Sequence, residues 1–145
     1  MPATLMVKDL MKTDVIALTP GTTLQEARRK MADLGIRHLP VIDPEHHLVG
    51  ILSQGDVARA LDPQLAAQGL RATIAAGDVM TKEPLAAHPD TPAVMAVEAM
   101  LKRKIGAVPV VDGTNHLVGM LTETDFLEVA HEALLGVPPT PRARS

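Results

Sequence analysis

The sequence predicts a mixed α/β (α+β) fold built from two copies of one β-α-β-β-α unit, and three observations carry that prediction. Sliding the 145-residue chain by 69 positions aligns residues 9–56 with 78–125 without a gap, and 17 of the 48 pairs are identical. A match that long means one supersecondary unit used twice, each copy able to cover the other's apolar face. Within each copy the apolar pattern switches from strand-like runs to helical spacing and back. Apolar residues make up 46% of the chain while Phe126 is its one aromatic, so the core must be aliphatic.

Residues 7–11 read as one helical turn with a counterpart at 76–80. Residues 15–18 form a brief strand, stopped by the turn signal Thr19-Pro20-Gly21. Leu24, Ala27, Met31 and Leu34 then recur at helical spacing, while Gln25, Glu26, Arg28, Arg29, Lys30 and Asp33 take the other face. An amphipathic helix therefore runs from residue 22 or 23 to near Gly35. Residues 38–42 are a strand, and Pro40 within it calls for an edge or bulge, because proline donates no ladder hydrogen bond. Asp43-Pro44-Glu45-His46 makes a turn. Residues 48–52 return as a near-continuous apolar run, expected of a strand buried on both faces. Ser53 opens a helix to about Leu61.

The second copy repeats this order with a strand at 85–87, a helix at 91–104, strands at 107–111 and 117–121, and a helix at 123–135. Phe126, Val129, Ala133 and Leu134 form the core stripe of that last helix, which Gly136 stops. Residues 62–75 have no aligned counterpart and join the copies. Residues 137–145 are Pro-rich and basic and read as a disordered tail.

Composition narrows the function. A net charge of -3 and a pI near 6.0 lack the basic excess that nucleic-acid binding needs, and stacking platforms are absent from so aromatic-poor a chain. Without cysteine there is no disulfide, thiol nucleophile or Cys-based zinc site, which fits a reducing cytoplasm. No run approaches 18 apolar residues, so a soluble cytoplasmic protein with no membrane partner is expected. The chain lacks GxxxxGK[ST], GxGxxG, GxSxG and HExxH, and Asp56 and Asp125 have no evident base partner. An enzyme is not expected.

Both copies read Pro-Val-apolar-Asp, a polar turn, His-Leu-Val-Gly-apolar-Leu, and then Ser/Thr-x-x-Asp. The last piece is Ser53-Gln54-Gly55-Asp56 in one copy and Thr122-Glu123-Thr124-Asp125 in the other. Two uses of it are physically open. The hydroxyl and the carboxylate can form a capping box around the first helical turn. The carboxylate can also accept two hydrogen bonds from a vicinal diol, beside a helix N-terminus that favours an anion. His46, His47 and His116 sit in the turns between strands and read as solvated turn residues; no metal is expected.

Over residues 7–136 this pattern resembles the cystathionine-β-synthase (CBS) domain family, whose motifs come as tandem pairs called Bateman modules. The resemblance implies a stand-alone pair, with CBS motif 1 at 7–61, a linker at 62–75, CBS motif 2 at 76–136 and the tail at 137–145. It also implies that the motifs pack about a pseudo-two-fold axis. The implied function is a non-catalytic regulatory module that senses adenosine-containing ligands (AMP, ADP, ATP, S-adenosylmethionine or NAD) in clefts between the motifs, as a homodimer acting on a separate effector protein. No cofactor is required beyond such a regulatory ligand. The alternative is a structural or oligomerisation module whose clefts bind nothing.

By resemblance, Ser53, Asp56, Thr122 and Asp125 hold the ribose. Adenine would lie in an aliphatic slot walled by Val15, Ile16, His38, Leu39 and Pro40 in one site, and by Pro84, Leu85, Ala107, Val108 and Pro109 in the other. Phosphate should need a cation, and the copies differ there: Arg37 and His38 precede the first Pro-Val strand, Gly106 and Ala107 the second. Lys104, in the cluster Lys102-Arg103-Lys104, is a further phosphate candidate, although a solvated helix end completing the dipole is the stronger reading of that cluster.

Overall fold

Helical spacing becomes helix where the chain supplies a start and a stop. In this computed structural model, which describes residues 4–62 and 74–138, the elements run α1 (Val7–Leu10), α2 (Leu24–Leu34), β1 (His38–Ile42), β2 (Leu48–Ser53), α3 (Gln54–Ala60), α4 (Ala76–Val79), β3 (Thr81–Lys82), α5 (Ala93–Arg103), β4 (Ala107–Val111), β5 (Leu117–Thr122) and α6 (Glu123–Leu134). Most of the expected linker, and the expected tail from residue 139, lie outside the described residues. The Thr23 hydroxyl accepts the Glu26 N–H at 3.2 Å and opens α2, and Gly35 closes it in the left-handed conformation with φ 66°. Its counterpart after α5 is Lys104, held at φ 56°. A β-carbon is disfavoured there, so α5 ends with strain that α2 avoids.

β1 and β2 pair antiparallel with Leu39 opposite Leu52 and Pro40 opposite Ile51, and β4 and β5 repeat that register with Val108 opposite Leu121 and Pro109 opposite Met120. The order β1-β2-β3 leaves β1 at an edge, where the missing N–H of Pro40 is tolerated. Leu34 and Leu134, expected on the core stripes of α2 and α6, lie near the helix ends and are exposed, and two further expectations change. β2 alternates between buried and half-buried residues, because the pleat sends successive side chains to opposite faces and one of those faces is only partly covered. The strands expected at 15–18 and 85–87 shrink to single bridging residues beside β1 and β4. Leu18 donates its N–H to the Pro40 carbonyl at 2.9 Å and accepts from Ile42 at 2.8 Å, and Ala87 does the same with Pro109 and Val111 at 2.9 Å each. Pro20 and Pro89 follow two residues later, so neither segment extends.

The chain forms two compact units, one of residues 16–84 and one that joins residues 1–15 to 85–145. The helical turn that precedes each repeat in sequence therefore packs on the other repeat. In the second-repeat unit the N–H groups of Val7 and Lys8 donate to Thr91 and Pro89 at 2.8 and 2.9 Å, and Ala93 donates to Leu5 at 2.8 Å. The first-repeat unit makes the equivalent bonds, Ala76 to Thr22 at 2.7 Å, Gly77 to Pro20 at 2.9 Å and Leu24 to Ile74 at 3.1 Å.

Glycine makes the docking possible. A β-carbon on Gly119 would lie 2.7 Å from Met11 Sδ and 2.9 Å from the Lys12 carbonyl oxygen, and one on Gly50 would strike Met80 and lie 2.9 Å from the Thr81 carbonyl oxygen. That is why the repeated Leu-Val-Gly keeps its glycine. Val7, Leu10 and Met11 thereby enter a core with Ala96, Met100, Val108, Val110 and Leu121, while Ala76 joins Leu24, Ala27, Met31, Leu39, Leu52 and Val57 in the other unit.

Two substitutions test this reading by chemical denaturation. Lys104→Gly should stabilise the protein by about 1 kcal/mol by removing the left-handed strain. Gly119→Ala should destabilise it by about 1 to 3 kcal/mol, since Met11 must move out of its seat. No gain in the first, or no loss in the second, contradicts the respective cause.

Candidate functional site

The strand-to-helix junction after each hairpin is where the Ser/Thr-x-x-Asp stretch lands. In the first-repeat unit, Ser53 ends β2 and caps α3. Its hydroxyl accepts the Asp56 N–H at 3.0 Å, and Asp56 Oδ2 accepts the Ser53 N–H at 3.2 Å, a reciprocal capping box. The other carboxylate oxygen, Oδ1, accepts from Arg59 Nη2 at 2.6 Å; the Asp56 side chain is 21% exposed and that of Arg59 74%. The Arg37 carbonyl accepts the Gln54 N–H at 2.7 Å, so the start of β1 abuts the start of α3. Ser53, Asp56, Arg37 and His38 are thus gathered at one junction, with Arg37 exposed and His38 half-buried.

The second-repeat unit rebuilds the junction with different chemistry. Thr122 donates its N–H to Asp125 Oδ2 at 2.8 Å, its hydroxyl lies 3.4 Å from the same oxygen, and the Gly106 carbonyl accepts the Glu123 N–H at 3.1 Å. Asp125 is only 1% exposed. Position 128, the equivalent of Arg59, is Glu128. Sequence reasoning singled out neither Arg59 nor Glu128. The signal was there in the aligned repeats, since position 59/128 changes sign one helical turn beyond the shared aspartate.

The residues expected to wall the adenine slots divide. Ile16, His38, Leu39 and Pro40 share the first-repeat unit with Ser53 and Asp56, while Val15 falls in the other unit. Leu85, Ala107, Val108 and Pro109 share the second-repeat unit with Thr122 and Asp125, and Pro84 does not. Leu39, Pro40, Ala107, Val108 and Pro109 are buried, whereas Ile16 is 43% exposed. Lys104 stands exposed at the end of α5, its N–H donated to the Met100 carbonyl.

The turn histidines have local partners. Asp43 Oδ1 accepts the N–H groups of Glu45 and His47 at 2.9 and 2.8 Å, and His47 Nδ1 lies 3.1 Å from Asp43 Oδ2. Asp112 Oδ1 accepts from Thr114 N–H and from its hydroxyl at 2.9 Å each, and from His116 N–H at 3.0 Å. His46 and Asn115 take the left-handed position of their turns. Among the described residues, no three His, Cys, Asp or Glu side chains are placed to hold a metal ion, and no helix is long and apolar enough to cross a membrane.

The CBS domain family model matches residues 7–63 and 76–132. A CBS domain-containing protein of Dictyostelium discoideum is 28% identical, over 92% of this chain and 97% of its own length. A homoserine O-acetyltransferase of Methanohalobium evestigatum is 31% identical over 87% of this chain, and the chain spans about a quarter of the length of that enzyme and of several other relatives it matches. Among solved structures, a CBS domain pair in complex with 5′-methylthioadenosine and S-adenosyl-L-methionine is 30% identical with a TM-score of 0.80, covering 90% of this chain and 99% of that one. An Arabidopsis thaliana CBS-pair protein in complex with AMP is 27% identical with a TM-score of 0.78, covering 89% and 98%.

The hydrogen bonds at the two turns make a pH prediction. Donation by the His116 N–H, then by Thr114, lowers the Asp112 pKa from 3.8 to about 2, and the His47 N–H leads the same shift, in direction, at Asp43. Folding lowers these pKa values, so their contribution to stability is complete above about pH 4 and is lost as the pH falls toward about 2. Asp112→Asn keeps an acceptor but removes the titration, and should flatten the acid limb of a stability-against-pH curve in that window. An unchanged limb contradicts the assignment.

Proposed function

The chain belongs to the CBS domain family, and from that premise we propose that it is a non-catalytic regulatory module that binds adenosine-containing ligands at the two strand-to-helix junctions. The observation that carries the proposal is the paired Ser53/Asp56 and Thr122/Asp125 stretch, kept at the same place in both repeats, on a fold whose solved neighbours hold AMP, S-adenosylmethionine and 5′-methylthioadenosine. Asp56 presents a partly exposed carboxylate, a chemistry suited to the two hydroxyls of a ribose. Ile16 and His38 supply the surface for adenine beside it, and Arg37 and His38 are the candidates to hold a phosphate. Ligand binding would act by favouring one arrangement of the chain over another, by as much as its affinities for the two arrangements differ.

One observation favours a second reading. Each aspartate is already engaged in capping, and Asp125 is buried, so a purely structural module would keep the same residues. Melting curves with AMP, ADP, ATP, NAD and S-adenosylmethionine separate the two. A ligand at a hundred times its Kd should stabilise by about 2.7 kcal/mol, and a flat panel favours the structural module.

We further propose a homodimer that acts on a separate effector protein. What supports the dimer is an asymmetry between the repeats. The outward positions filled by Gln25, Glu26 and Ala32 in α2 become Val94, Met95 and Leu101 in α5, and all three are exposed, as are Leu127 and Leu134 on α6. Large solvent-facing apolar groups at positions where α2 has only Gln, Glu and Ala suit a protein partner.

Three measurements follow. Asp56→Ala should weaken adenosyl-ligand binding at least tenfold by titration calorimetry while costing about 1 to 2 kcal/mol of stability through the lost cap; unaltered affinity refutes the ribose role. Asp125→Ala should do the same for its own site. Leu101→Glu should convert a dimer to a monomer by light scattering after gel filtration, and a parent that is already monomeric refutes the dimer.

A further inference from the structure

Five equivalent positions surround each of the two junctions, and the net charges of the two sets are opposite in sign. The first-repeat unit has Arg37, His38, Gln54, Asp56 and Arg59; the second has Gly106, Ala107, Glu123, Asp125 and Glu128. One set carries two permanent cations against a single carboxylate. The other carries three carboxylates and no cation. The hydrogen bonds from Gln54 N–H to the Arg37 carbonyl and from Glu123 N–H to the Gly106 carbonyl place each set in the same local frame, so the repeats act as controls for one another.

Arg59 is the residue best placed to matter. Its Nη2 reaches Asp56 Oδ1 at 2.6 Å, yet its side chain is 74% exposed. An exposed ion pair contributes little net stability, so the guanidinium can turn part of its donor fork to a new anion at small cost. A guanidinium also binds phosphate through two parallel N–H bonds, which a point charge does not. Position 128 answers with a carboxylate, which repels phosphate and attracts a cation.

We propose that position 59/128 sorts ligands by charge: Arg59 makes the first-repeat site select a phosphorylated adenosine, and Glu128 makes the second-repeat site select an uncharged or cationic adenosyl compound, such as one bearing a sulfonium. The inference rests on the adenosyl-ligand reading above and adds to it which chemical class each unit takes. The discriminating groups are side chains that differ between the repeats; both helix starts are common to both sites.

Titration calorimetry on the full chain tests it with four probes of one scaffold: adenosine, AMP, 5′-methylthioadenosine and S-adenosylmethionine. The parent should bind one equivalent of AMP and, with AMP saturating, a further equivalent of S-adenosylmethionine. Arg59→Gln should lower the ratio of AMP to adenosine affinity at least tenfold, and Glu128→Gln should lower the preference for S-adenosylmethionine over 5′-methylthioadenosine several-fold. Ratios are the readout because damage to the fold moves both ligands of a pair together. Glu128→Arg should open a second equivalent for AMP. Competition between AMP and S-adenosylmethionine for one equivalent, or ratios that stay within twofold in both Gln variants, overturns the charge sorting while leaving adenosyl binding intact. A parent that binds none of the four overturns both.

Discussion

A carboxylate three residues into a helix, bonded back to the amide that ends the preceding segment, is the interaction on which this architecture depends. Among the described residues it occurs four times: Asp9 with Met6 N–H at 2.8 Å, Asp56 with Ser53 at 3.2 Å, Asp78 with Ala75 at 2.9 Å and Asp125 with Thr122 at 2.8 Å. Each bond satisfies a donor at the junction and puts negative charge on the first turn, where the helix favours it. Asp9 and Asp78 fix the short helices that cross over to the other repeat. Asp56 and Asp125 fix the junctions where the candidate sites lie. Structure and site are thus made by the same side-chain chemistry, and a ligand that engages Asp56 draws on an oxygen the fold has already oriented.

Duplication explains the rest of the economy of the chain. The bonds that dock residues 5–8 on the second repeat are matched, position by position, by those that dock residues 74–77 on the first. Gly50 and Gly119 clear the space that this docking requires. What the repeats do not share is their outer chemistry. Charged positions on α2 become apolar on α5, and around the shared aspartate Arg37 gives way to Gly106 while Arg59 gives way to Glu128. Conserving the inner face while the outer one diverges keeps one fold and gives it two different surfaces.

Much of this was legible in the sequence. Strands 38–42 and 107–111 fall where β-branched residues and the repeat put them, and Thr23 and Gly35 bound α2 as cap and stop residues should. The exchange of α1 and α4 between repeats was not legible, because a four-residue helix carries no address for its partner; only the close approach at Gly119 and Gly50 records it. The two-residue strand β3 was missed because Thr81-Lys82 has no apolar period of its own and exists through its register with Gly50 and Ile51. At the site, the aspartates were visible as a repeated motif. Arg59 left its signal only in the comparison of the repeats, as a change of sign at 59/128, while its ion pair with Asp56 and the burial of Asp125 against the partial exposure of Asp56 follow from packing.

The central claim is that the Asp56 carboxylate recognises a vicinal diol in addition to capping α3. Titrating the parent protein with AMP and with 2′-deoxy-AMP tests it most directly, because the two ligands differ by one hydroxyl and share adenine and phosphate. The deoxy compound should bind at least about tenfold more weakly, the loss expected when one hydrogen bond to a charged acceptor disappears. Equal affinities would contradict it and leave the aspartate as a helix cap.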